Sequence, residues 1–202
     1  MVTLAMHMID IVQNALRAQA NMITITLDER GDESLLLFQV EDDGSGMSPE
    51  ILERLSDPFF TTRTTRRVGL GIPFLKMTCE QTGGTLRVSS AEGEGTTVEA
   101  LYRTDNPDCL PLGDLEGSLL LMVMANPGIR FRFTYRVGPE VFSFDSDALR
   151  EQGIDLQHPQ LVVPVKDYIR ENLEALWRHR ATVNYLCGTS RIDVNNEQHN
   201  IY

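Results

Sequence analysis

An α+β fold is predicted for this chain, with a small α/β extension at its C-terminal end. Three observations predict it. Residues 4–20 carry apolar side chains at helical spacing and lead directly into two strand-like segments. Residues 71–82 read as a further helix and 85–103 as two more strands. Beyond residue 104 the pattern changes to an apolar helix, an aromatic hairpin and a last helix. A length of 202 residues suits one large domain, or one full domain with an appendage.

In the first helix Leu4, Met8, Ile11, Ala15 and Ala18 recur every three or four residues and line one face. Asn21 ends it. Residues 22–27 alternate Ile and Thr, the pattern of a half-buried strand. The polar stretch 28–34 turns the chain, and residues 35–40 form a second strand, apolar enough to expect cover on both faces. Ser48-Pro49-Glu50 offers an N-cap and a first-turn proline for a short helix reaching Leu55. Residues 57–68 show neither period and read as a long loop. The next helix begins near Gly71 and stops at Gly83-Gly84. Strands at 85–90 and 96–103 flank a turn at Gly93 and Gly95.

Residues 104–113, with Pro107 and Pro111, read as a linker that closes a first domain at residue 103. An accessory helix–hairpin–helix region then spans 114–180. A capped apolar helix occupies 114–124, and Phe131, Phe133, Tyr135 and Val137 alternate into a Gly138-Pro139-Glu140 turn. Val165, Ile169, Leu173 and Leu176 stripe the last helix, and residues 181–202, rich in Asn, are expected to be a poorly ordered tail. The apolar helix and aromatic hairpin can pack on the first domain's sheet or make a homodimer.

Composition excludes several classes. With 18 basic against 29 acidic residues the net charge is −11, which opposes nucleic acid and anionic membranes as partners. Cys79, Cys109 and Cys187 have no metal-ligand or redox spacing and read as free thiols of a reducing compartment. His7, Asp10 and Asn14 interrupt the N-terminal apolar residues, unlike a signal peptide, and the longest apolar run, 119–125, is too short to span a bilayer. A cytoplasmic location is expected. The chain has no Gly-x-x-x-x-Gly-Lys-Ser/Thr loop, no Gly-x-Gly-x-x-Gly and no protein-kinase catalytic loop.

The chemistry concentrates in four glycine-centred segments. They are Asp42-Asp43-Gly44-Ser45-Gly46-Met47, Asp57-Pro58-Phe59-Phe60-Thr61-Thr62-Arg63, Gly69-Leu70-Gly71 and Gly93-Glu94-Gly95-Thr96-Thr97. From Pro58 to Cys79 there are four basic residues, Arg63, Arg66, Arg67 and Lys76, and no acid, so a polyanion suits this window of an acidic chain. Gly69-Leu70-Gly71 leads into a helix whose first N–H groups and dipole favour an anion. A carboxylate held at a strand end, as Asp42 is, can accept from an exocyclic amine, although Asp-Gly is also ordinary turn punctuation. Asp10 and Asn14 lie four apart on one helix face, and a carboxamide beside a carboxylate suits Mg²⁺ and a water. Such pairs also occur on plain solvated helix faces.

The ordered set resembles the Bergerat-fold (GHKL) ATPases, the superfamily of DNA gyrase, heat-shock chaperone, histidine kinase and MutL proteins. Asp10-x-x-x-Asn14 resembles its N-box, Asp42-x-Gly44-x-Gly46 and Gly69-Leu70-Gly71 its two glycine boxes, and Gly93-x-Gly95-Thr96 its last box. The segment from Asp57 to Arg63 is similar to the F-box of histidine kinases, and the likeness covers roughly residues 5–102. It implies a two-layer α/β sandwich, a mixed sheet covered by helices on one face, and the cofactors ATP and Mg²⁺. It further implies that Asn14 ligates Mg²⁺, that Asp42 binds the adenine amine with Thr96 in support through water, and that Gly44 and Gly46 line the base pocket. Residues 58–68 would form the lid carrying Arg63, and Gly69, Leu70 and Gly71 would approach the phosphates. Asp10 stands where many relatives carry a general-base glutamate, one methylene longer.

Histidine kinases place their phosphoacceptor histidine on an upstream helical hairpin, whereas His7 lies inside the first helix, so no acceptor within this chain is expected. The layout is similar to small stand-alone bacterial ATP-binding proteins. The reading is therefore a Mg·ATP-binding regulatory protein with a histidine-kinase-like domain, either an ATPase or a kinase of a separate protein partner. The alternative is a nucleotide-dependent interaction module with little or no catalysis. The acidic charge and short lid disfavour a topoisomerase or mismatch-repair fragment.

Overall fold

The computed structural model describes residues 2–55 and 71–180. In chain order the elements are α1 (Leu4–Arg17), β1 (Met22–Arg30), β2 (Leu35–Asp42), α2 (Pro49–Arg54), α3 (Gly71–Gln81), β3 (Thr85–Ala91) and β4 (Gly95–Arg103), followed by α4 (Leu115–Ala125), β5 (Arg130–Val137), β6 (Glu140–Asp145), α5 (Ser146–Glu151) and α6 (Pro159–Trp177). The expected lid at 58–68, with Phe59, Phe60, Arg63, Arg66 and Arg67, lies outside the described residues, as do Gly69, Leu70 and the segment 181–202.

Among the described residues six strands form one mixed sheet in the order β3-β4-β2-β1-β5-β6. β1 pairs antiparallel with β2 and parallel with β5, with Ile23 opposite Asp42 on one side and Phe131 on the other. Ile23, Ile25, Leu27, Leu36, Phe38, Val40, Val98, Ala100 and Tyr102 point to a single buried face, over which α1, α3, α4 and α6 pack. The architecture is the two-layer α+β sandwich that the sequence predicts.

Three differences have physical reasons. β2 alternates buried and partly exposed residues instead of being covered on both faces, because Leu35, Leu37 and Gln39 look away from the helices. The first hairpin is longer than its Ile/Thr core: β1 continues through Asp28 and Glu29 to Arg30, since Glu29 finds partners inside the core. α1 ends at Arg17, three residues before Ala20, where Gln19 adopts a left-handed φ of 59°.

The accessory region is spliced into the same sheet. Its hairpin adds β5 beside β1, burying Phe131, Phe133 and Tyr135, and α4 packs on α1. The segment read as a linker works as a clamp: the carbonyls of Pro111 and Leu112 accept from Leu4 and Ala5 N–H at 2.9 Å each. These are first-turn donors with no partner inside a helix, so the clamp secures the helix that bears Asp10 and Asn14. Asp114 caps α4 through Gly117 N–H at 2.8 Å, as its sequence suggests.

A buried polar cluster joins α1, α3 and β4. His7 Nε2 and Tyr102 Oη lie 3.1 and 3.0 Å from Thr78 Oγ1, which is itself 3.0 Å from the Leu75 carbonyl. A carbonyl only accepts, so the Thr78 proton goes there and both neighbours donate to Thr78, placing the His7 proton on Nε2. Burial holds His7 down to about 4 from an ordinary 6.5. The sign follows: the unfolded chain takes up this proton first, so the contribution of neutral His7 is complete above pH 6.5 and is lost as pH falls toward 4. Roughly 3 kcal/mol should disappear over that window. Urea midpoints of wild type and His7→Gln between pH 7 and 4 check this, the variant showing the shallower decline.

Candidate functional site

Three strand ends place a polar row at the edge of the core face. Asp42 on β2 stands opposite Thr96 on β4, and Thr96 stands opposite Ser90 on β3. Directly opposed residues share a face, so these three side chains continue the line of Val40, Val98 and Val88 past the last apolar layer. Asp42 is half-buried, and its Oδ1 accepts from Gly44 N–H at 2.9 Å. Burial pushes the Asp42 carboxyl above the usual carboxylate range, while the N–H groups of Gly44 and Thr96 hold it down against that. A carboxylate so placed is a strong acceptor with spare lone pairs.

Two glycine turns wrap this row. Gly95 has φ +94°, and a Cβ there would fall 1.9 Å from the Asp42 carbonyl oxygen. Gly46, at φ +63°, leaves no more room: a Cβ would sit 1.8 Å from the Ala91 carbonyl oxygen. Both the conformation and the contact therefore demand glycine. The turns are joined by Gly93 N–H donating to the Ser45 carbonyl at 2.8 Å, and Ser45 N–H donates to the Ala18 carbonyl at the same distance. The second contact ties the Asp42 loop to the end of α1. Asp43, beside the site residue, serves the scaffold: its Oδ1 accepts from Asn21 and Met22 N–H at 2.7 and 2.8 Å.

The second half of the site lies along α1. Asp10 is exposed, and Asn14 is half-buried one turn later on the same face. Gly71 opens α3 directly beside them; a Cβ on it would lie 3.4 Å from Asp10 Cβ and 4.0 Å from Asn14 Nδ2. The structure thus brings together Asp10, Asn14 and Gly71 at one place and Asp42, Gly44, Gly46 and Thr96 at the other, linked through the C-terminal end of α1.

Two residues of this surroundings were not foreseen. Arg17 donates to Asn14 Oδ1 at 2.7 Å, setting a guanidinium on the oxygen expected to meet a cation. Its signal in the sequence is the i+3 spacing from Asn14, which puts both on neighbouring turns. Ser90 contacts Thr96, and a lone serine in a strand carries no spacing signature. Among the described residues no group of three or more His, Cys, Asp or Glu could hold a metal. Asn14 fits Mg²⁺ as a single neutral oxygen ligand, which suffices for an ion that keeps waters and draws its other ligands from phosphates.

Residues 2–106 match the family described as histidine kinase-, DNA gyrase B-, and HSP90-like ATPase. The sensor histidine kinase ZraS of Salmonella typhi is 34% identical over 90 residues, covering 44% of this chain and 19% of that protein. The sensor protein SrrB of Staphylococcus aureus is 36% identical over 95 residues, covering 44% of this chain and 16% of its own. The autoinducer sensor kinase/phosphatase CqsS of Vibrio cholerae aligns over 165 residues at 23% identity, covering 78% of this chain and 24% of that one. The chain thus spans less than a quarter of the length of these curated relatives. In three dimensions it is similar to the N-terminal domain of a DNA repair protein, with a TM-score of 0.51 at 17% identity over 72% of this chain and 52% of that one, a likeness of fold alone. No described helix is long and apolar enough to cross a membrane.

Proposed function

The chain belongs to the histidine kinase-, DNA gyrase B-, and HSP90-like ATPase family, and from that premise we propose that it is a Mg·ATP-binding regulatory protein acting on a separate protein partner. Residues 2–106 are its ATP-binding, histidine-kinase-like domain. The observation that carries the proposal is the pairing of an amine-seeking carboxylate, Asp42 with Thr96, with the Asp10–Asn14–Gly71 cluster at the mouth of α3. In this reading the base sits on the strand-end row. Asn14, beside the first turn of α3, would help hold Mg²⁺, which would supply charge screening for the phosphates. Arg17, now on Asn14 Oδ1, would have the reach to pair with a phosphate oxygen instead, freeing Asn14 for the cation. Asp10 orients a water or an incoming nucleophile.

His7 is not the acceptor in this reading. It is 1% exposed and committed to Thr78, so no phosphoryl group can reach it. The second reading, a nucleotide switch with little catalysis, draws support from Arg17: its guanidinium and a cation would repel each other at Asn14 Oδ1, which would couple nucleotide binding to side-chain placement.

Titration calorimetry tests the proposal. ATP with Mg²⁺ should bind, and Mg²⁺ alone should give no heat, because one carboxamide oxygen does not hold this ion without phosphates. Absence of ATP binding would sink the proposal. With γ-labelled ATP, label on a second protein from the host marks a kinase, whereas free phosphate alone marks the switch.

A further inference from the structure

We propose that Ser90 sets the base specificity of the nucleotide site by fixing the Thr96 hydroxyl as a hydrogen-bond acceptor, an inference that rests on reading Asp42 as the base-binding carboxylate. Ser90 Oγ lies 2.8 Å from the Gly95 carbonyl oxygen and 2.9 Å from Thr96 Oγ1. A carbonyl oxygen accepts and never donates, and a serine hydroxyl has one proton, so that proton points to Gly95. The proton between the two hydroxyls must then be that of Thr96, donated to Ser90. Thr96 Oγ1 is left with lone pairs only.

The consequence appears where Thr96 meets Asp42. The two residues are directly opposed across β2 and β4 and share the face that would hold the base. Asp42 already takes N–H groups from Gly44 and Thr96, so its free lone pairs also only accept. A base edge in direct contact with this row therefore faces acceptors alone. An exocyclic amine satisfies them. A carbonyl oxygen at the same position meets two oxygens that cannot donate. Adenine is favoured over a 6-oxopurine for this reason, and Ser90 supplies it without reaching the base. Removing the serine frees the Thr96 hydroxyl to rotate and donate to a carbonyl.

The test uses the full chain with Mg²⁺ and either ATP or ITP, the latter carrying a carbonyl in place of the amine. Wild type should prefer ATP. Ser90→Ala should lower the ATP-to-ITP affinity ratio about tenfold, the scale of one hydrogen bond, chiefly through tighter ITP binding. Ser90→Thr, which keeps the hydroxyl, should hold the wild-type ratio. In a Thr96→Val background, adding Ser90→Ala should move the ratio by less than about twofold, because the effect runs through the Thr96 hydroxyl. If Ser90→Ala does not fold, Ser90→Cys makes the same comparison with a weak donor. A Ser90 variant that weakens both nucleotides equally and leaves the ratio unchanged overturns the inference, since a serine that merely holds the Gly95 turn would do that. Wild type that binds ATP but fails this comparison leaves the ATP reading standing; wild type that binds neither nucleotide removes both.

Discussion

Asp42→Asn should weaken ATP binding by about 30- to 150-fold, equivalent to the roughly 2–3 kcal/mol of a hydrogen bond to a charged group. The substitution keeps volume and shape, so its effect is chemical. Asp42 Oδ1 is committed to Gly44 N–H, and the carboxylate also receives Thr96 N–H. An asparagine can turn its oxygen toward those donors, but its NH₂ then faces the adenine amine, donor against donor. Turned the other way, the NH₂ meets the backbone N–H groups instead. Either orientation leaves a conflict that the carboxylate avoids with its four lone pairs. The complement is equally specific: an outward NH₂ suits a 6-oxopurine, so the variant should lose far less ITP affinity than ATP affinity. Calorimetric titrations of both nucleotides decide it. Equal loss of ATP and ITP would show collapse of the loop and no role in base recognition, and an unchanged ATP affinity would remove Asp42 from the site. Acidification should mimic the variant, because burial raises the Asp42 carboxyl and a protonated carboxyl presents a donor.

Much of this site is legible in the sequence because its chemistry is carried by short, rigid pieces. Gly95 and Gly46 are glycines for backbone reasons, a positive φ and a carbonyl contact under 2 Å, and such constraints survive as spaced motifs. Asp10 and Asn14 are legible because helical geometry alone places residues four apart on one face. What was hidden is what depends on neighbours distant in sequence. The Ile/Thr alternation of β1 shows which of its faces is buried but says nothing about which strand lies beside it. Nothing local announces that β5, over a hundred residues later, completes the sheet there in parallel, with Thr24 opposite Arg132. The same holds for residues 104–113, whose prolines signal a break, whereas the Pro111 and Leu112 carbonyls complete the first turn of α1. Glu29 is the sharpest case. A charged residue at the end of an apolar strand reads as the start of a turn, and only its partner from α6's end, 151 residues on, accounts for its burial.

Breaking that partnership should cost more stability than any other single substitution considered for this chain. Glu29 is 2% exposed and the Arg180 side chain 9%. Arg180 Nε lies 2.9 Å from Glu29 Oε2, its Nη2 lies 2.6 Å from Tyr135 Oη, and Tyr135 donates its hydroxyl to Glu29. The guanidinium also sits over the Trp177 ring, 5.3 Å from its centre. Arg180→Ala leaves a carboxylate in the core with only a neutral hydroxyl donor, and removing one partner of a buried ion pair costs about 3–5 kcal/mol. Lost packing against Trp177 contributes to the same number, so a second variant is needed to apportion it. Adding Glu29→Gln to Arg180→Ala removes the stranded charge while keeping an oxygen for the Tyr135 hydroxyl. If the charge is the cause, the double variant should recover at least half of the loss; if packing is the cause, it should recover none. Urea midpoints at pH 7 measure both. A loss below about 0.5 kcal/mol for Arg180→Ala, the range of an ordinary surface change, would refute the assignment. ATP affinity supplies the control. Glu29 pairs with Leu36 and Ile23 with Asp42, so six residues of strand, about 20 Å, separate the ion pair from the base-binding carboxylate. Folded Arg180→Ala should therefore bind ATP like wild type, because the tie holds the end of α6 to the far end of β1 from the base-binding row.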